Sequence, residues 1–335
     1  MTNPRPPGAR SVARADSPTL DSGKVVGRRY RITKPIGAGG MGAVYEATDL
    51  ETGAAVALKA LPRGAYDAAN LERLRAEANA ATAVRSDYVC RVFYLWVDRG
   101  VPFIVMERLR GQTLRERLRG GGGGGRPDLE ECVTITAQLL RALEATHAAG
   151  LVHRDVKPSN VFLLEGETTR VKLIDFGLAK HEVDRDDPSA IPGTMQYLAP
   201  EQLLGAGIDQ RVDVRAAGLI LYEVLTGRRA FGGATAADIV QRVVLEEPPR
   251  LAAARPDVPP IFDDVLAMAV ARDRARRFAT ARAFRTALET AWHWESAHTS
   301  GERPSAPEES DGIDPSADDD PYSDTDVTLP YGVSA

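Results

Sequence analysis

The stretch LVHRDVKPSNVFLL, Leu151 to Leu164, sets His153, Arg154, Asp155, Lys157 and Asn160 between two aliphatic runs. Charged side chains are rarely buried without a partner. A loop clamped by apolar sequence on both sides therefore needs a chemical reason for its charges. Asp155, Lys157 and Asn160 stand at i, i+2 and i+5. On a loop fixed at both ends, that spacing can aim a carboxylate, an ammonium and an amide at one point. A solvated loop with scattered charges is the competing reading, and it leaves the flanking aliphatics unexplained.

Working outward, the chain divides into two kinds of sequence. Residues 1–24 are rich in Pro, Ser, Arg and Ala without periodicity, and are expected to be disordered. RYRITKPI and AVYEAT are short β-branched and aromatic runs around a glycine-rich turn, which predicts a hairpin. AAVALKAL predicts a third strand, and VCRVFYLWVD and PFIVMERL two more. Between them, AANLERLRAEANAATAV places Leu71, Leu74, Ala78 and Ala81 on one helical face. From about residue 110 the pattern becomes mainly helical. GQTLRERLR reads as helix, Gly120–Gly125 as a flexible linker, and DLEECVTITAQLLRALEATHAAG as a long amphipathic helix stopped by Gly150. Two short strands are expected around 151–175. The α+β class follows: a small lobe of five strands and one helix over about 25–108, then a larger helical lobe over about 110–297, with a cleft between them.

Composition narrows the function classes. Of 335 residues, 43% are hydrophobic, enough for a sizeable core. The net charge of −5 is uneven: Ser296–Ala335 carries −9 and the remainder +4. A modestly positive body without a clustered basic face does not point to nucleic acid. The acidic segment 298–335 is expected to be a disordered tail. Cys90 and Cys132 stand alone in apolar contexts, which suits buried reduced thiols and a cytoplasmic setting. The N-terminus lacks the apolar core of a signal peptide, and no run of about 18 apolar residues predicts a membrane span in this chain.

IGAGGMGAV supplies Gly37, Gly39 and Gly42 in G-x-G-x-x-G spacing, then Val44. Taken alone, a plain hairpin turn explains these glycines as well as phosphate binding does. A dinucleotide fingerprint needs a helix after the loop, and here a strand follows. A strand–loop–strand ribbon can instead lie over phosphates where any Cβ would clash. Lys59 sits in the apolar run VALKAL, so its ammonium needs an anionic partner. Glu77, 18 residues on, lies near the apolar stripe of the predicted helix and is better placed than Glu72.

The ordered set of motifs resembles a eukaryotic-type protein kinase of the bacterial serine/threonine branch. The matching pieces are the glycine loop at 37–44, V-A-L-K with Lys59, H-R-D at 153–155 with Asn160, D-F-G at 175–177 and A-P-E at 199–201. They span roughly residues 25–295, and the set is far more specific than any member. The resemblance implies the bilobal kinase fold and transfer of the γ-phosphoryl group of ATP to Ser or Thr hydroxyls of proteins, with autophosphorylation. It implies Mg²⁺ as the metal, with Mn²⁺ as the alternative.

By the same resemblance, Asp155 accepts or orients the substrate hydroxyl proton and Lys157 stabilises the γ-phosphoryl. Asn160 and Asp175 are the metal ligands. Lys59 grips the phosphates and pairs with Glu77 when the helix is docked. Ile36, Gly37, Ala38, Gly39, Gly40, Met41 and Gly42 form the ribbon over the nucleotide. Val44, Ala57 and Phe162 sandwich the adenine, although core packing explains Val44 and Ala57 equally well. Met106 guards the back pocket, and the backbones of Glu107 and Leu109 would bond the base. Glu201 with Arg277 resembles a buried bracing pair, and Asp213 an anchor for the catalytic loop. Lys157 in RDVKPSN and Thr194 in GTMQYLAPE resemble the serine/threonine branch.

Some features depart from the pattern. Arg215 and Ala216 stand after Asp213, where the family usually carries an aromatic and a serine. Arg154 would bind a phosphate on the 178–201 loop, where Ser189 is the only hydroxyl before Thr194. Either of those is autophosphorylated, or Asp184, Asp186 or Asp187 supplies the charge. Ser323, Thr325 and Thr328, beside acids in the tail, suggest a docking site for a phospho-dependent partner. A catalytically weak or pseudokinase scaffold is the alternative function, although such scaffolds usually lose residues of the Lys59, Asp155 or Asp175 type. A small-molecule phosphotransferase is disfavoured by the A-P-E segment.

Overall fold

The computed structural model describes residues 19–39, 42–63, 68–120, 127–166, 168–175 and 195–299. The first lobe is a six-stranded antiparallel sheet, one strand more than expected. Its strands are β1 (Val25–Val26), β2 (Tyr30–Gly39), β3 (Gly42–Asp49), β4 (Ala55–Ala60), β5 (Val92–Asp98) and β6 (Val101–Glu107), in the order β1-β2-β3-β4-β6-β5. The extra strand is only two residues long, pairing Val25 with Arg31 and Val26 with Tyr30. A dipeptide cannot show the period-2 pattern by which strands are read.

Order also begins earlier than residue 25. The buried Leu20 donates its N–H to the Tyr45 hydroxyl, and Gly23 N–H bonds Ile32 O. Within 19–24, therefore, the expected disorder does not hold. Helix α1 (Ala68–Ala83) buries Leu74, Ala78 and Ala81, with Leu71 partly covered. The alternating face of β2–β4 and β6 packs its own apolar cluster, including Ile32, Tyr45, Leu58, Phe103 and Val105.

The second lobe opens with β7 (Gly111–Thr113), not with helix as expected; helix α2 (Leu114–Leu118) follows. Thr113 caps α2 reciprocally with Glu116: Glu116 N–H bonds Thr113 Oγ1, and Thr113 N–H bonds Glu116 Oε2. This T-x-x-E capping box places the helix start one residue after the strand. Strand β7 pairs with β8 (Val161–Leu164), which pairs with β9 (Val171–Leu173).

Helix α3 (Leu129–Ala148) is capped by Asp128 and buries Ile135, Leu139, Leu140 and Leu143. Helices α4 (Pro200–Leu203), α5 (Arg211–Thr226), α6 (Ala236–Leu245), α7 (Leu251–Ala254), α8 (Pro260–Val270) and α9 (Ala281–Thr299) complete the lobe. Nearly every residue of α5 is buried, which makes it the central post. Gly218 on α5 faces Ala269 and Val270 of α8, where an added Cβ would come within 2.6 Å of Val270 Cγ1. Helix α9 ends two residues beyond the expected domain end at 297. Among the described residues, no helix is long and apolar enough to cross a membrane. Cys90 and Cys132 are buried free thiols, and burial pushes the Cys132 thiol up to about 12.

Candidate active site

The aliphatics around 151–164 act as the clamp the sequence suggested. Val156 and Val161 are buried, and Val161 begins β8, which is fixed in the three-stranded sheet. At the other end, Asp213 in the first turn of α5 holds the loop by its backbone. Asp213 Oδ2 accepts from His153 N–H at 2.7 Å and Oδ1 from Arg154 N–H at 2.8 Å. His147, in the last turn of α3, places Nε2 2.9 Å from Asp213 Oδ2. Those bonds hold Arg154 at φ +63°, a left-handed conformation costly for a residue with a Cβ. Gln202 Nε2 donates to Arg154 O from the opposite side at 3.1 Å.

His153 is fully enclosed. Its Nε2 lies 3.2 Å from Ile174 O, while Nδ1 accepts from Asp155 N–H at 3.3 Å. Burial pushes its pKa below the ordinary imidazole range. A neutral ring has one donor and one acceptor, which matches these two contacts.

Asp155 is 4% exposed. Its Oδ2 lies 2.9 Å from Lys157 Nζ and accepts from Asn160 Nδ2 at 3.2 Å. Asn160 Nδ2 also donates to Asp155 O at 2.8 Å, which turns the amide oxygen away from these contacts. Ile174 N–H bonds Asn160 O at 2.9 Å, so the residue before Asp175 is stitched to Asn160. Asp175 itself sits at φ +55° and places Oδ1 2.8 Å from Lys59 Nζ. Asp155, Lys157, Asn160, Asp175 and Lys59 are thus linked through these contacts.

Buried Lys59 makes an ion pair with Asp175 at 2.8 Å; Glu77, expected to pair with Lys59 when the helix is docked, is half-buried on α1. The remaining expected positions lie where strand register puts them. Val44 is opposite Lys59, Ala57 opposite Met106, and Phe162 opposite Thr113 and Lys172. Ile36, Gly37 and Ala38 are exposed on β2, and Gly39 pairs with Gly42 across the turn. Leu109 is half-buried after β6. Gly40, Met41, Phe176, Gly177, Asp184, Asp186, Asp187, Ser189 and Thr194 lie outside the described residues, as do 300–335.

Three supporting residues escaped the sequence reading. His147 had no visible signal beyond its place in the last turn of a helix. Lys172 Nζ lies 2.6 Å from Glu107 Oε1, which also accepts Arg91 N–H at 2.8 Å, so this side chain ties β6 to β9. Gln202 could be suspected only from its place next to Glu201.

A protein kinase domain model matches residues 30–292. The chain belongs to the protein kinase family. Its curated relatives include bacterial serine/threonine-protein kinases. It is 36% identical over 287 residues to the probable serine/threonine-protein kinase PknB of Bifidobacterium longum, covering 79% of this chain and 40% of that protein. It is 38% identical over 277 residues to the serine/threonine-protein kinase PknL of Mycobacterium tuberculosis, covering 82% and 67%. The chain therefore spans about two fifths of the PknB relative's length. The crystal structure of the Mycobacterium tuberculosis PknI kinase domain superposes with a TM-score of 0.67 at 28% identity, covering 82% of this chain and 100% of that one.

The kinase domain implies ATP as substrate, and the residues present fit it. Gly42 has φ +124°, and a Cβ there would stand 2.3 Å from Ala60 O. The Gly42→Ala variant must move the β2–β3 turn off β4. Strain of this kind costs about 1–3 kcal/mol. If it falls on nucleotide binding, KM for ATP rises by about tenfold, one decade per 1.4 kcal/mol. Steady-state kinetics at varied ATP measures this, and an unchanged KM would show that the turn does not approach the nucleotide.

Proposed function

We propose that this chain transfers the γ-phosphoryl group of ATP to serine and threonine hydroxyls of protein substrates, and to its own. The observation that carries the reading is the buried Asp155 carboxylate, held between Lys157 and Asn160 on a loop whose backbone Asp213 fixes. Phosphoryl transfer asks little covalent chemistry of a protein and much positioning and charge stabilisation. The substrate oxygen bonds to the γ-phosphorus as the bond from that phosphorus to the β–γ bridging oxygen breaks. The hydroxyl proton goes to Asp155, and ADP leaves with the bond's electron pair. Lys157, beside Asp155, offsets charge on the transferring group, and Lys59 holds the phosphates.

Asn160 and Asp175 would hold Mg²⁺, with Mn²⁺ as the alternative; when bound, the ion neutralises phosphate charge. Two hard oxygen donors completed by substrate phosphates suit magnesium better than an all-protein cage. No cluster of three or more His, Cys, Asp or Glu fit for a metal exists among the described residues. Asp175 already faces a cation, Lys59 Nζ, at 2.8 Å. Val44, Ala57 and Phe162 would enclose the adenine, with the Glu107 and Leu109 backbones as its polar partners. The buried free thiols support a reducing, cytoplasmic setting. The tail hydroxyls Ser323, Thr325 and Thr328, set among acids, support a docking role for a phospho-dependent partner.

The test is labelled ATP with Mg²⁺ and a generic basic protein, wild type beside Lys59→Met. Label should appear on serine or threonine of both the substrate and the kinase, and fall by at least about a hundredfold in the variant, the scale lost with one preorganised charge. Absence of label with wild type, in either Mg²⁺ or Mn²⁺, sinks the reading.

A further inference from the structure

Arg215 occupies a place where the sequence departs from its family, and the described site makes no use of it. Its side chain is 0% exposed at the centre of the helical lobe. Nη1 donates to Leu198 O at 2.7 Å, and the guanidinium lies 5.4 Å from the centre of the Phe231 ring. Among the described residues, Nε and Nη2 have no hydrogen-bond partner. Elsewhere in the molecule that same edge grips carboxylates: Arg29 Nε and Nη2 hold Asp49 at 2.8 and 2.7 Å, and Arg255 holds Asp257 at 2.7 Å through both. A buried guanidinium without such a partner lowers stability. Buried polar groups are nearly always satisfied in native structures, so an unsatisfied one calls for a reason.

The Leu198 carbonyl leads to the catalytic loop in two steps. Leu198 closes a turn by donating its N–H to Met195 O at 3.1 Å. The next residue, Ala199, donates its N–H to Gln202 Oε1 at 2.9 Å, and Gln202 Nε2 donates to Arg154 O, beside Asp155. The 195–198 turn therefore sits at a fixed offset from the carboxylate that must meet the acceptor hydroxyl. Arg215 anchors that turn from beneath, and Gln202 ties it to the loop. A side chain without a donor at 215 could pack under the turn but could not hold its carbonyl.

We propose that Arg215 is a positioning residue for the protein substrate, setting the bank of the acceptor groove through the Leu198 carbonyl. The inference rests on the proposed transfer to protein hydroxyls. It separates protein binding from ATP binding, because Arg215 touches none of the residues assigned to the nucleotide.

The test compares Arg215→Met, which keeps length and loses every donor, with Arg215→Lys, which keeps one donor and the charge. For R215M we expect KM for the protein substrate to rise about tenfold, with kcat and KM for ATP within about twofold of wild type. Its melting temperature should equal or exceed wild type, because a buried cation without a carboxylate partner is gone. R215K should return KM for the protein to within about threefold. An unchanged protein KM in R215M overturns the proposal. So does R215M that fails to fold, or loss of kcat, both KM values and melting temperature together in both variants, since each makes the residue a structural brace. A wild type that labels no protein overturns the proposed function instead, and is read from the wild-type lane alone.

Discussion

Asp155→Asn should lower kcat by about 10²–10⁴, the range a positioned proton acceptor contributes. KM for ATP should stay within about threefold of wild type. The two halves of that expectation have different origins. Asparagine is nearly isosteric, so Asn160 Nδ2 keeps an oxygen to bond at position 155, and its bond to the 155 backbone carbonyl is untouched. The clamp of Asp213 on His153 and Arg154 does not involve the 155 side chain. The loop therefore holds its shape. What disappears is the proton acceptor and the charge beside Lys157 Nζ at 2.9 Å. Lys157 is then released toward the phosphate, which opposes any loss of ATP affinity. Single-turnover phosphorylation of a protein substrate, with ATP binding measured separately, distinguishes the two. A kcat within threefold of wild type would remove Asp155 from the proton-transfer role.

That loop was readable because its polarity conflicts with its frame. Aliphatics on both sides bury the segment, so each polar residue in it needed a partner or a task, and Asp155, Lys157 and Asn160 have both. The apolar stripe of α1 was readable for the opposite reason, since packing alone decides it. Less legible were features shorter than a period. Val25–Val26 and Gly111–Thr113 are strands of two and three residues, set by tertiary pairing with Tyr30–Arg31 and with β8. Gly111 shows the tertiary cause: it sits at φ +137°, and a Cβ would meet Leu163 O at 2.0 Å. The partner of Lys59 was illegible for another reason. The sequence offered Glu77 and Glu72 as acids for Lys59 and gave Asp175 to the metal; the contact with Asp175 depends on the left-handed backbone there, a conformational matter. Arg215 could be flagged as a departure from its family, but nothing in a linear sequence says which carbonyl it will find.

The largest stability effect should come from the pair that joins the segment beside the site to the far end of the lobe. Arg277 meets Glu201 twice, Nη1 to Oε1 at 2.6 Å and Nη2 to Oε2 at 3.0 Å. Their side chains are 0% and 10% exposed. Arg277 also donates from Nε to Ala271 O at 2.6 Å and from Nη2 to Arg272 O at 2.8 Å. Truncating one member of a buried pair costs about 3–5 kcal/mol, because the other charge is left behind. That is a large share of a typical stability of roughly 5–15 kcal/mol.

The two truncations should not be equal. Arg277→Met strands Glu201 alone, and it also removes a cation that repels the buried Arg215. Glu201→Gln strands Arg277 and withdraws the attraction that Glu201 exerts on Arg215. Both buried cations then lose the negative charge of Glu201. The E201Q variant is therefore expected at the upper end of the range and R277M at the lower. The double variant Glu201→Leu with Arg277→Met removes both charges and should be more stable than either single variant, a coupling expected of partners in direct contact. Urea unfolding of the four proteins, compared at equal m-values, measures the cycle. Single variants within about 1 kcal/mol of wild type would show that the pair behaves as an exposed one and does not brace the lobe.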